Sequence, residues 1–140
     1  MKNTLIRLII LILGGSLFIL FFIYDHNNPP ERARVTDLKV GYHETYVGWA
    51  FDSPVPASER ELQVCGWMEK SSPAELQFRI SNPNDINDFR RLDKFFFEIK
   101  PGEFCIRLYL LGRPPAGSYI LWVMDARHAV GQVSVEFFDE

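Results

Sequence analysis

The chain has 140 residues, 47% hydrophobic and 24% charged, enough for one ordinary domain and a short extra segment but not for two good cores. Its formal net charge is -3, with acidic and basic residues interspersed rather than blocked, so it carries no electrostatic footprint for nucleic acid. Aromatic residues make up 14%, including twelve phenylalanines, a composition that suits a sheet-rich core or a large adhesive surface.

The first element is the apolar run LIRLIILILGGSLFILFFIY, Leu5 to Tyr24, broken by one charge, Arg7. As a helix it is about 30 Å long, the thickness of a bilayer's hydrocarbon core, so residues 5–24 are predicted to span a membrane. Arg7 lies one turn from the amino end, where its side chain can snorkel to the headgroups, and Tyr24 with Asp25 marks the opposite interface. A cleaved secretory signal has a shorter apolar region and a small-x-small site; here the run ends in FFIYDHNNPP with no such site. A lipoprotein signal would need cysteine where Ser16 stands. The segment therefore reads as an uncleaved signal anchor, with residues 1–4 as a cytoplasmic tail. The tail is too short to carry much, which assigns the large remainder to the other side. The expected location is a bacterial inner membrane, crossed once, with the amino terminus in the cytoplasm and the carboxy-terminal domain in the periplasm. Gly14, Gly15 and Ser16 permit close helix packing, although no second small residue follows four positions on.

Residues 25–33 are a polar linker stiffened by Pro29 and Pro30. From residue 34 the period of hydrophobicity becomes two. AELQFRI sets Leu76, Phe78 and Ile80 against Glu75, Gln77 and Arg79, the pattern of a half-buried strand, and GQVSVEFF repeats it with Val133, Val135 and Phe137. RVTDLKVGY, ETYVGWAF, ELQVCGWM, KFFFEIK, FCIRLYLL and SYILWVMD read similarly. The intervening DSPVPASE, KSSP, SNPNDINDFRRLD, KPGE, GRPPAG and DARHAVG carry turn residues. One helical turn is expected within Asp85 to Phe96. The whole predicts an all-β fold: an antiparallel sandwich of about seven or eight strands over residues 34–140.

PPAGSYILWVMDARHAVGQVSVEF resembles the terminal hairpin of immunoglobulin-like and fibronectin-type sandwich domains, in which a Pro-Ala-Gly turn leads into a tyrosine-bearing strand. The resemblance implies architecture and no particular activity. The antibody-type hallmark, a tyrosine two positions before the second cysteine, is absent, since Glu103 stands there.

No catalytic template fits. His26, His43 and His128 fall in the linker and in apparent turns, without a second ligand at metal spacing, and neither a nucleophile elbow nor a phosphate-binding glycine loop occurs. Asn82 to Asp88 gathers oxygen ligands but lacks the spacing and closing glutamate of a calcium loop. No metal and no cofactor is expected. Cys65 and Cys105 each lie off the apolar face of their strand, on a shared side. In an oxidising compartment this favours a Cys65 to Cys105 disulfide, with two free buried thiols as the alternative.

FCIRLYLL, SYILWVMD and KFFFEIK are apolar on both faces, so each lies either under a crossing segment or at a surface for another protein. Trp67, Phe96, Tyr109 and Trp122 are the candidate aromatic anchors, and the adjacent Arg90 and Arg91 are candidates for contact with lipid phosphates or an acidic partner. The expectation is a non-enzymatic envelope module that binds a protein, either as an immunity-type inhibitor of a periplasm-delivered toxin or as an accessory subunit of a membrane complex. A thiol-dependent envelope enzyme is the alternative of a different class.

Overall fold

The computed structural model describes residues 2–27, 31–44 and 48–140. The apolar run lies within one α-helix, α1, Lys2–Asn27, which extends three residues beyond it at each end, so residues 25–27 are helical. Its part Lys2–Ile23 is about 33 Å long, and it is long and apolar enough to cross a membrane. The mid-helix hydroxyl of Ser16 donates to the Ile12 carbonyl at 2.9 Å, leaving no unsatisfied polar group there. This helix and the body Arg32–Glu140 are two separate compact units.

In the body the strands are β1 (Arg34–Glu44), β2 (Gly48–Phe51), β3 (Val55–Pro56), β4 (Glu61–Glu69), β5 (Ala74–Asn82), β6 (Asp85–Phe89), β7 (Phe96–Ile99), β8 (Gly102–Tyr109), β9 (Gly117–Asp125) and β10 (His128–Phe138). Among the described residues they form two sheets and no barrel: a four-stranded sheet in the order β2-β1-β4-β8 and a six-stranded sheet in the order β3-β10-β9-β5-β6, with β7 pairing β5 as well. Every pair is antiparallel except β3 with β10, a parallel contact at Phe137 and Phe138.

Period-two alternation places the core where the sequence puts it. Leu62, Val64 and Met68 of β4 face Leu76, Phe78 and Ile80 of β5 and Leu121 and Val123 of β9 across the interior, each at most 1% exposed. Burying each such side chain contributes roughly 1.5–3 kcal/mol. Phe78 meets Phe97 edge-on at 5.6 Å and Phe104, from the opposite sheet, at 6.4 Å. Tyr119 sits edge-on to Phe137 at 5.5 Å, and its hydroxyl donates to the Pro115 carbonyl at 2.9 Å, tying the Pro-Ala-Gly turn to the start of β9.

Three features depart from the sequence reading. In β1 the register against β4 shifts between Thr36 and Lys39, where Asp37 adopts φ 55°. That bulge turns Leu38 inward, and the bare backbones of Gly66 and Gly131 make its space; a Cβ on either would come within 3.0 Å of it. Second, Asp85–Phe89 is a strand, not a helical turn. The Asn84 N–H donates to Asn82 Oδ1 and the Asn87 N–H to Asp85 Oδ1, so two side chains bend the chain back onto β5. Third, His43 and His128 lie in strands, at the end of β1 and the start of β10, rather than in turns.

Between β6 and β7 the chain leaves the six-stranded sheet. Leu92 bridges to Leu110. The Asp93 N–H donates to the Tyr109 carbonyl at 2.9 Å and the Leu111 N–H to the Arg91 carbonyl at 3.0 Å. The segment then returns to β5, where the Phe95 carbonyl accepts the Phe78 N–H at 2.8 Å. It closes one side of the sandwich and does not lie over the outer face of either sheet.

Candidate functional site

The six candidate contact residues fall on separate surfaces. Alternation along β4 and β8 sends Trp67 and Tyr109 to the outer face of the four-stranded sheet, 47% and 43% exposed. They stand at opposite ends of the ladder, roughly 20 Å apart at a strand's rise per residue. Tyr109 Oη donates to Glu61 Oε1 at 3.3 Å, and Arg107 reaches the same carboxylate at 3.3 Å. Between the two aromatics the sulfurs of Cys65 and Cys105 stand 2.07 Å apart, disulfide distance, on directly opposed residues of adjacent strands. Cys65 is buried and Cys105 exposed. This face also holds Trp49 and Phe51, which the sequence reading did not single out. Phe51 lies across Gly41, whose added Cβ would meet the ring at 2.7 Å, and Lys39 caps it at 4.9 Å.

Tyr42 points inward from β1 and donates its hydroxyl to Glu44 Oε1 at 2.6 Å. This hydrogen bond to a carboxylate holds its pKa above the ordinary phenol value.

Phe96 and Trp122 face out from the six-stranded sheet. Phe96 is 45% exposed and packs at 4.9 Å on Phe95. Trp122 is half-buried and donates Nε1–H to Ser81 Oγ at 2.9 Å, so its polar edge is already engaged.

Arg90 and Arg91 have the more definite setting, at the side wall. Where the wall parts from β5 it leaves a cavity of about 300 Å³, small enough to suit one or two apolar side chains. Phe78 and Leu92 are buried in its lining, while Phe89, Phe95 and Leu111 are exposed at 51%, 43% and 62%. Gln77, Arg79, Arg90 and Arg91 complete the lining, and the depression continues past Leu111 to Arg113. Among the described residues no acidic side chain lines either part. Two of the four guanidinium groups have carboxylate partners on the flanks: Arg90 with Asp88, and Arg113 with Asp139 at 3.4 Å. Arg79 donates only to the neutral Gln77, at 3.2 Å, and packs on Phe89 at 5.7 Å. Arg91 is exposed, and its side chain meets no acidic partner among the described residues. Arg90 lies 5.7 Å over the Tyr119 ring, with its buried Nε making no hydrogen bond.

The site is thus an apolar slot ringed by arginines, fitted to an apolar group that carries negative charge. Arg79, Phe89, Phe95 and Leu111 escaped the sequence reading. Arg79 looked like the wet side of a strand, Phe89 lay in an apparent turn, and Phe95 and Leu111 lay in strands read as apolar on both faces. The available signals were a large apolar residue inside a turn segment and excess apolar residues at strand ends. Among the described residues no group of three or more His, Cys, Asp or Glu side chains could hold a metal ion. No family model matches the chain, and neither does any curated protein or solved structure.

Proposed function

We propose that this chain is a single-pass protein of a bacterial inner membrane whose periplasmic body, an immunoglobulin-like sandwich, holds an acidic, apolar segment of another envelope protein in the arginine-ringed slot. The observation that carries the reading is the slot itself: apolar walls and, among the described residues of its lining, four arginines and no carboxylate. Charge complementarity selects the occupant, a large apolar side chain flanked by Asp or Glu. The immunoglobulin-like reading draws support from the layering, with β1, β4 and β8 in one sheet and β5, β9 and β10 in the other, and from the Tyr119 hydroxyl turning back on Pro115. Against an antibody-type arrangement, the cysteine pair lies within one sheet rather than between the two.

The partner is a toxin neutralised in the periplasm or a subunit of a membrane complex, and one experiment addresses both. A photo-crosslinking amino acid replaces Phe95 in the full-length protein in its native membrane, and adducts are identified by mass spectrometry. The expected result is a discrete protein adduct that falls about tenfold or more when Arg79→Glu and Arg91→Glu are added, as loss of charge pairing at an interface implies. The thermal midpoint of the charge-reversed body should stay where it was. An adduct unaffected by the charge reversals, or one formed with lipid alone, would remove the reading.

A further inference from the structure

The four-stranded sheet ends in an open edge. In an antiparallel ladder, directly opposed residues alternate between hydrogen-bonded pairs and closer pairs that exchange no bonds. The Cys65–Cys105 pair, with Cα atoms 4.1 Å apart, is of the closer kind. Phe104, Ile106 and Leu108 therefore bond to β4, and the backbone N–H and C=O groups of Glu103, Cys105 and Arg107 point to the open side. The bond from the Asp93 N–H to the Tyr109 carbonyl has the same phase. Among the described residues none meets the backbone groups of Glu103, Cys105 or Arg107.

Long open edges are normally blunted by proline, lysine, a bulge or a cover. β8 contains neither proline nor lysine, and its register against β4 runs unshifted from Gly102 to Tyr109. The remaining sheet edges are short or irregular: β2 and β7 have four residues each, β3 two, β6 pairs through a shifted register, and the parts of β1 and β10 that β2 and β3 leave unpaired belong to strands that each carry a register shift. We propose that β8 is a self-association edge, pairing antiparallel with β8 of a second copy about a twofold axis through Cys105.

Charge complementarity points to a second copy and sets the register. Centred on Cys105, the pairing places Glu103 opposite Arg107 of the other copy, twice by symmetry. Registers centred on Glu103 or Arg107 would instead oppose like charges. The inner row agrees, because half-buried Ile106 falls opposite Phe104 and gains cover from it. Each facing pair among Glu103, Cys105 and Arg107 closes with two N–H to carbonyl bonds. The two four-stranded sheets become one continuous sheet, and the outer faces bearing Trp67 and Tyr109 lie side by side. The pairing uses none of the residues that line the arginine-ringed slot, so the inference stands apart from the proposed function.

The test is sedimentation of the full-length protein in detergent micelles, with variants E103R and R107E. Wild type should be dimeric, and each variant alone should associate about tenfold more weakly or worse, since two attractive pairs become repulsive. An equimolar mixture of the two variants should recover the dimer, because opposite charges then face each other across the mixed pair. R107P removes one donor from the open edge without touching the β4 ladder, and it should also be monomeric with a folded body by circular dichroism. A monomeric wild type overturns the proposal. So does a dimer that survives in E103R and R107E alike, which would place association in α1 or on another surface, and so does a mixture that fails to recover.

Discussion

Loss of the Cys65–Cys105 link is the perturbation whose size follows most directly from this structure. The two residues are 40 positions apart in sequence and directly opposed in the β4–β8 ladder. The ladder pairs Glu61 through Met68 with Tyr109 through Gly102, so the folded body keeps its shape without the covalent bond. What the bond removes is freedom of the unfolded chain, worth about 4 kcal/mol for a loop of this length. For a body running from Arg32 to Glu140, a loss of that size lowers the thermal midpoint by roughly 15 °C. Because the effect belongs to the pair, replacing both cysteines by alanine should cost no more than replacing one. The two serine variants should differ. Cys65 is 4% exposed and Cys105 is open to solvent, so Cys65→Ser buries a hydroxyl and should cost about 1–3 kcal/mol more than Cys105→Ser. The assay is thermal unfolding followed by circular dichroism on the full-length protein in micelles, with and without reductant. A wild-type midpoint indifferent to reductant would refute the reasoning, as would a double alanine variant whose loss equals the sum of the singles.

Two further outcomes follow from local geometry. Gly131→Ala places a Cβ 3.0 Å from the Val35 carbonyl oxygen and 3.0 Å from Leu38, so it should destabilise by about 1–3 kcal/mol in chemical denaturation, and Leu38→Ala in the same background should recover part of that. Tyr42 should ionise later than an ordinary phenol because its hydrogen bond to Glu44 favours the protonated form. A pKa raised in the folded state means that the bond's contribution is fully present below the unfolded value of 10.0 and is lost as pH rises through the folded one. Ultraviolet titration should show a late-ionising tyrosine that Glu44→Gln returns to the ordinary range; an unchanged profile would count against the bond.

Much of the body was legible in the chain because a half-buried strand writes its own orientation. Leu76, Phe78 and Ile80, or Leu62, Val64 and Met68, alternate with polar neighbours, and alternation alone determines which side chains face inward. It likewise put Cys65 and Cys105 on one side of their strands. The break in β1 was hidden, because one extra residue at Asp37 and Leu38, which together oppose the single Gly66, reverses the alternation without leaving a turn signal, and the compensating glycines lie far along the chain at 66 and 131. Asp85 to Phe89 was hidden for a related reason: its asparagines and aspartates make turns that feed a strand as readily as turns that end one.

The arginine-ringed slot shows where the two kinds of information part. Arg90 and Arg91 stand out in the sequence as neighbours, but Arg79, Phe89, Phe95 and Leu111 join them through the pairing of β5 with the side wall and the bridge from Leu92 to Leu110. By itself the sequence determined a membrane-length helix, a sheet body and the facing of most strands, since each depends on the spacing of residues within a few turns or pleats. Only the tertiary structure decided which strand is left with an open edge and which arginines converge, because both depend on the order of strands in a sheet. That order is set by non-local packing across the whole body, and no short stretch of residues encodes it.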